Sequence, residues 1–161
     1  MKRLLILRHA KSSWADSSIS DWQRPLNDRG LRDAPRCGAW LRDRSLVPDV
    51  IITSDAVRAR TTAEIVAKAA GFAKEILLEP SLYHATPHDV LAVLNGVQDQ
   101  SAATVLIVGH NPGLEELVRL LSGEHHDLPT TALVHFRMSI DRWSELDDAT
   151  AASIVDMWRP R

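Results

Sequence analysis

The chain is poor in cysteine, lysine, net charge and long apolar runs. Its single cysteine, Cys37, excludes an intrachain disulfide and a cysteine-rich metal site. A reducing compartment fits, and cytoplasmic residence is the expectation. The apolar part of the opening Met1-Lys2-Arg3-Leu4-Leu5-Ile6-Leu7 is too short for a signal-peptide core and stops at Arg8. No run approaches the ~20 apolar residues of a spanning helix. Formal net charge is -2, so no global field draws the chain to nucleic acid or an anionic membrane. There is no repeat and no low-complexity tract. A length of 161 residues predicts one domain, residues 1–161.

Of 19 cationic side chains, 15 are Arg. Arg is the better bidentate partner for phosphate or carboxylate. A compositional preference explains the total, so the information lies in where individual arginines fall.

Short apolar runs alternate with helical patterns. Residues 4–7, 49–53, 75–78 and 104–108 read as strands, and 134–140 and 152–158 as two later ones. Residues 12–25 are polar and turn-rich, a long loop. Asn27 caps a helix to about Arg44, with a kink expected at Pro35. Ser54 is the expected cap of the next helix. Thr86-Pro87-His88-Asp89 opens a third, and Pro112 a fourth. This pattern predicts an α/β fold: a three-layer αβα sandwich on a mostly parallel sheet, with an antiparallel edge strand. In such sheets ligands bind at the carboxyl ends of the strands. Arg8 and His9 end the first strand, Ser54 and Arg58 follow the second, and Gly109-His110-Asn111-Pro112-Gly113 follows the fourth.

Two Arg and two His on one rim suit phosphoryl transfer. Guanidiniums hold the non-bridging oxygens and offset developing charge. A neutral imidazole attacks phosphorus, provided its other nitrogen is held by an acceptor. A second imidazole, if protonated, donates to an equatorial oxygen. Each residue alone has a plainer reading: a structural His, a solvated helix Arg, an ordinary strand-to-helix turn. The joint placement is what argues for chemistry.

Leu7-Arg8-His9-Ala10 resembles the Arg-His signature of the histidine phosphatase superfamily, which includes cofactor-dependent phosphoglycerate mutases. Ser54-Asp55-Ala56-Val57-Arg58 resembles its second motif, and Gly109-His110-Asn111-Pro112-Gly113 its second-His motif. Arg8-His9-Ala10-Lys11-Ser12-Ser13-Trp14, with Arg24-Pro25-Leu26 and Gly30, is most similar to SixA-type phosphohistidine phosphatases. The resemblance implies a phosphoglycerate mutase-like fold and no cofactor or metal. It implies that His9 is the nucleophile, that Arg8 and Arg58 bind phosphoryl oxygens, and that His110 completes the pocket. Arg24 is a further phosphate ligand under the resemblance, or a loop salt bridge. Lys11 and Ser12 stand beside the nucleophile and are expected to be dispensable.

Two departures from the family bear on substrate. Asn111 stands where the acid phosphatase branch has an Asp proton donor. Leu82-Tyr83-His84-Ala85 stands where the mutase-like branch has a Glu general acid. His84 is either a substitute donor or a surface-loop residue. An alkoxide leaving group needs protonation, worth ~10²–10⁴-fold. An imidazole leaving group is far less basic, with a conjugate-acid pKa near ~6.5. Residues 80–86 leave no room for a lid, so the site should be open. Both points favour phosphohistidine on a protein partner, such as a histidine phosphorelay carrier domain. The alternative is a phosphatase of small phosphate esters such as sugar phosphates. A phosphoprotein-binding module without catalysis is the rival from another class. His125-His126 is read as a loop, not a metal pair, because adjacent side chains diverge.

Overall fold

In the computed structural model, which describes all 161 residues, Leu4, Leu5, Ile6 and Leu7 are all fully buried, but on opposite sides of one sheet. Leu4 and Ile6 pack in one hydrophobic cluster with Val105, Ile107, Val134 and Phe136. Leu5 and Leu7 pack in the other with Leu106, Val108 and Leu133. Side chains alternate across a strand, so a continuous apolar run serves a sheet covered on both faces.

The sheet has six strands: β1 (Lys2–Arg8), β2 (Val50–Thr53), β3 (Leu77–Leu78), β4 (Thr104–Gly109), β5 (Leu133–Met138) and β6 (Ala152–Trp158), in the order β3-β2-β4-β1-β5-β6. Helices α1 (Asp28–Asp43) and α2 (Val57–Ala70) cover one face. Helices α3 (Pro87–Asn95) and α4 (Gly113–Ser122) cover the other. This is the expected three-layer arrangement. Strands β1 to β4 are parallel. Not one but two strands depart from parallel pairing: β5 is antiparallel to β1, and β6 to β5.

Three local expectations need correction. Strand β3 is only Leu77–Leu78, paired to Ile52 and Thr53; Glu75 and Ile76 lie outside it. The loop at 12–25 contains a 3-10 turn, Asp21–Gln23. Ser54 does not cap α2. That helix starts at Val57 after Ala56, and the Ser54 hydroxyl accepts instead from the Ala56 N–H. Helix α1 does begin after Asn27, whose side chain accepts from Gly30 N, and it continues through Pro35 to Asp43. No helix is long and apolar enough to cross a membrane.

The chain runs β1, β2, β3 outward, then returns to insert β4 between β2 and β1. That change of direction opens a crevice at the carboxyl ends of neighbouring strands. The ladder continues past the strand ends there. His9 N donates to Gly109 O, Ser54 N to Val108 O, and Thr131 N to Arg8 O and His9 O.

Candidate phosphoryl-transfer site

A cavity of about 200 Å³ opens on this rim, lined by Arg8, His9, Lys11, Ser12, Trp14, Arg24, Arg58, His84, His110, Asn111 and Thr130. All five of the residues singled out from sequence, Arg8, His9, Arg24, Arg58 and His110, lie in it. No lining side chain is a carboxylic acid.

His9 is buried at the end of β1. Its Nδ1 lies 2.7 Å from Ala10 O. A carbonyl only accepts, so Nδ1 carries the proton and the free lone pair is on Nε2. Burial pushes the His9 pKa down to about 4, and the guanidiniums of Arg58, Arg8 and Arg24 add to this against the Ala10 hydrogen bond. The ring is neutral at physiological pH. The Ala10 N–H donates to Thr62 Oγ1, whose hydroxyl donates to Arg58 O one turn earlier in α2. Thr62 therefore ties the nucleophile candidate to the helix that carries Arg58.

His110 follows β4, with its ring centroid 5.2 Å from that of His9. Its Nε2 lies 2.8 Å from Ser54 Oγ. Burial and the neighbouring His9 and Arg58 push its pKa down to about 3. In the free protein this second imidazole is thus neutral; only an arriving anion would favour its protonated form.

The arginines are held by different means. Arg8 Nη1 donates to Leu128 O at 2.9 Å, the carbonyl that also accepts from Asn111 Nδ2 at 2.9 Å. Asn111 Nδ2 donates to Glu115 Oε1 as well. Arg24 donates to Asp21 Oδ1 at 2.8 Å, to Ser13 O and to the Ser12 hydroxyl, and its guanidinium lies 3.3 Å from the Trp14 ring centre. Arg58 donates to Asp21 O at 2.7 Å and to Asp21 Oδ2 at 3.0 Å. Arg24 makes the loop salt bridge of one sequence reading, and its side chain also lines the cavity.

Asp21 is the residue that sequence reasoning missed. Its carboxylate also accepts from the Tyr83 hydroxyl at 2.6 Å. Tyr83, Arg24 and Arg58 hold it far below the usual carboxylate range. One side chain thereby joins the long loop, α2 and the turn before α3. The available signal was Asp21 three residues before Arg24, a spacing that lets both side chains share one turn. His84 lines the cavity with φ of 59°, its ring centroid 3.9 Å from that of Tyr83. It is an exposed turn residue, as one sequence reading has it, and it also borders the cavity. Elsewhere, His125 pairs with Asp127 and His126 with Glu124, so the two rings engage separate loop carboxylates.

The family model of the histidine phosphatase superfamily, branch 1, matches residues 4–86, about half of the chain. The chain belongs to the histidine phosphatase superfamily. An uncharacterized protein of Mycobacterium tuberculosis is 32% identical to this histidine phosphatase homologue over 159 residues, covering 92% of the chain and 96% of its own length. Among solved structures, this superfamily member is similar to SixA phosphohistidine phosphatases. SixA from Agrobacterium tumefaciens has a TM-score of 0.84 at 26% identity, covering 99% of this chain and 98% of its own. SixA from Nakamurella multipartitia has a TM-score of 0.85 at 25% identity, covering 99% and 96%. These likenesses support a phosphatase.

Proposed function

We propose that the chain removes phosphate from phosphohistidine on a partner protein, through a phospho-enzyme on His9. The observation that carries this reading is the lining of the cavity: four cationic side chains and three imidazoles, with no carboxylic acid among them. Arg8, Arg24 and Arg58 bind the phosphoryl oxygens, and His110 completes the cradle. His9 Nε2 attacks phosphorus, and the bond from phosphorus to the substrate imidazole nitrogen breaks. With a proton on the other nitrogen of the substrate ring, the group departs as neutral imidazole and needs little help from a protein acid, because its conjugate acid has a pKa near ~6.5. Water then attacks the phospho-enzyme, the bond to Nε2 breaks, and inorganic phosphate leaves. Cationic side chains supply the charge stabilisation, so no cofactor or metal enters the scheme.

One observation favours a second reading, a phosphatase of small phosphate esters. His84 lines the cavity in a left-handed backbone conformation, which costs a non-glycine residue roughly 1 kcal/mol or more. A group held there against that cost could protonate an alkoxide.

The test compares phosphate release from a histidine-phosphorylated carrier protein and from sugar phosphates, with His9→Ala as control. Release from the carrier, lost in the variant, supports the proposal. Release mainly from esters, also lost, favours the second reading. Activity that survives in His9→Ala removes His9 as nucleophile, and binding without any phospho-enzyme would indicate a phosphoprotein-binding module.

A further inference from the structure

A second cavity, of about 620 Å³, lies away from His9 and is lined by Arg36, Trp40, Arg44, Trp158, Arg159 and Arg161, together with Met157 and Pro160. It runs between α1 and the last strand. Four guanidiniums and two indoles meet in it, and no acidic side chain lines it. Arg44 stacks on Trp40, its guanidinium carbon 4.6 Å from the ring centre. A stacked guanidinium keeps its edge donors free and loses less freedom when it grips a carboxylate. Arg36 is tied to Asp33 at 3.5 Å and Arg44 to Asp156 at 3.2 Å. The side chains of Arg159 and Arg161 have no ion pair. The chain as a whole carries a formal charge of -2, so this concentration of arginine is local.

Position gives the groove its meaning. Leu7, Leu133 and Trp158 are register partners across β1, β5 and β6. Strand β6, antiparallel to β5, runs in the same sense as β1, so its carboxyl end reaches the rim that carries His9. Trp158 is two strand spacings, about 10 Å, from Leu7, which stands two residues before His9. A protein interface of standard size covers about 800 Å² of each partner, a disc of roughly 16 Å radius. A protein that presents its phosphohistidine to His9 therefore also covers the mouth of this groove.

Resting on the function proposed above, we infer that the groove is the docking surface for an acidic segment of the phosphohistidine-bearing partner protein. Carboxylates of that segment pair with Arg159 and Arg161, whose side chains have no internal partner, while the phosphohistidine enters the cavity at His9. Free phosphohistidine, which reaches only the small cavity, gains nothing from the groove.

The double variant Arg159→Glu/Arg161→Glu tests this. Both residues are exposed and neither touches the cavity at His9. The probes are free phosphohistidine and a histidine-phosphotransfer domain phosphorylated with phosphoramidate. The variant should lower kcat/KM on the domain at least tenfold, mainly through KM, and leave free phosphohistidine within twofold. The wild-type rate on the domain should fall with added salt and the variant's should not, because screening weakens exposed charge pairs. Equal effects on both substrates, or none on the domain, would overturn the groove while leaving the phosphohistidine reading intact. If wild type hydrolyses neither phosphohistidine substrate yet releases phosphate from p-nitrophenyl phosphate, that reading fails and the groove's role with it. Micromolar binding of a labelled single-stranded oligonucleotide, lost in the variant, would overturn the inference in favour of nucleic acid.

Discussion

Asn111 donates to both Glu115 Oε1 and Leu128 O, which a carboxylate cannot do. The Asn at this position is thus more than a missing proton donor: it fixes the carbonyl that also holds Arg8. Asn111→Asp should destabilise the fold by about 1–3 kcal/mol, since it leaves a charge facing two acceptors, and thermal unfolding would show it. Asp21 works in the opposite sense, as the acceptor for Arg24, Arg58 and Tyr83. Asp21→Ala should lower kcat/KM on carrier and small ester alike, by about tenfold or more, because the guanidiniums lose their common anchor. A selective loss on the carrier alone would instead assign Asp21 to partner contact. For His9, held down to about 4, the acid limb of kcat/KM should lie well below the ordinary histidine value of ~6.5. A limb at or above that value, with substrate ionisation accounted for, would contradict a buried, neutral nucleophile.

Two helices meet the site through glycines that admit no side chain. A Cβ at Gly30, in the first turn of α1, would stand 2.2 Å from Lys11 O, two residues past His9. One at Gly113, the first residue of α4, would stand 2.1 Å from Ala85 O, next to His84. Both contacts are to backbone, which cannot swing aside. Gly113→Ala should therefore cost about 1–3 kcal/mol, measured by chemical denaturation, and shift His84 relative to His110. The boundaries of these helices were legible: Asn27 as cap and Thr86-Pro87 as start are short-range chemistry. Ser54 misled because its hydroxyl serves two partners, Ala56 N and His110, and the latter follows another strand, β4. The short β3 misled for a similar reason. Pairing depends on where two remote segments come together, and here only Leu77 and Leu78 reach Ile52 and Thr53, although β2 begins at Val50.

At the scale of the molecule, burying neutral imidazoles couples the site to stability. His9 and His110 titrate lower in the folded than in the unfolded chain, down to about 4 and about 3. Between those values and ~6.5 the unfolded chain binds more protons, so stability rises with pH through this window. Their contribution is fully present above ~6.5 and is lost as pH falls through the folded values. A denaturation series from pH 7 to 4 should show this loss, and His9→Gln/His110→Gln should flatten it. The sequence by itself determined the α/β class, the alternation of strands and helices, and the rim on which Arg8, His9, Arg58 and His110 meet. Those follow from local periodicity, caps and the rule that parallel sheets bind at their carboxyl ends. Only the tertiary structure decided that Asp21 clamps Arg24 to Arg58, that His9 Nε2 is the free nitrogen, and that β6 carries an arginine groove to the same rim. The first and last depend on distances between segments remote in the chain, and the second on the ring orientation of His9 against the Ala10 carbonyl; periodicity and local propensity encode none of them.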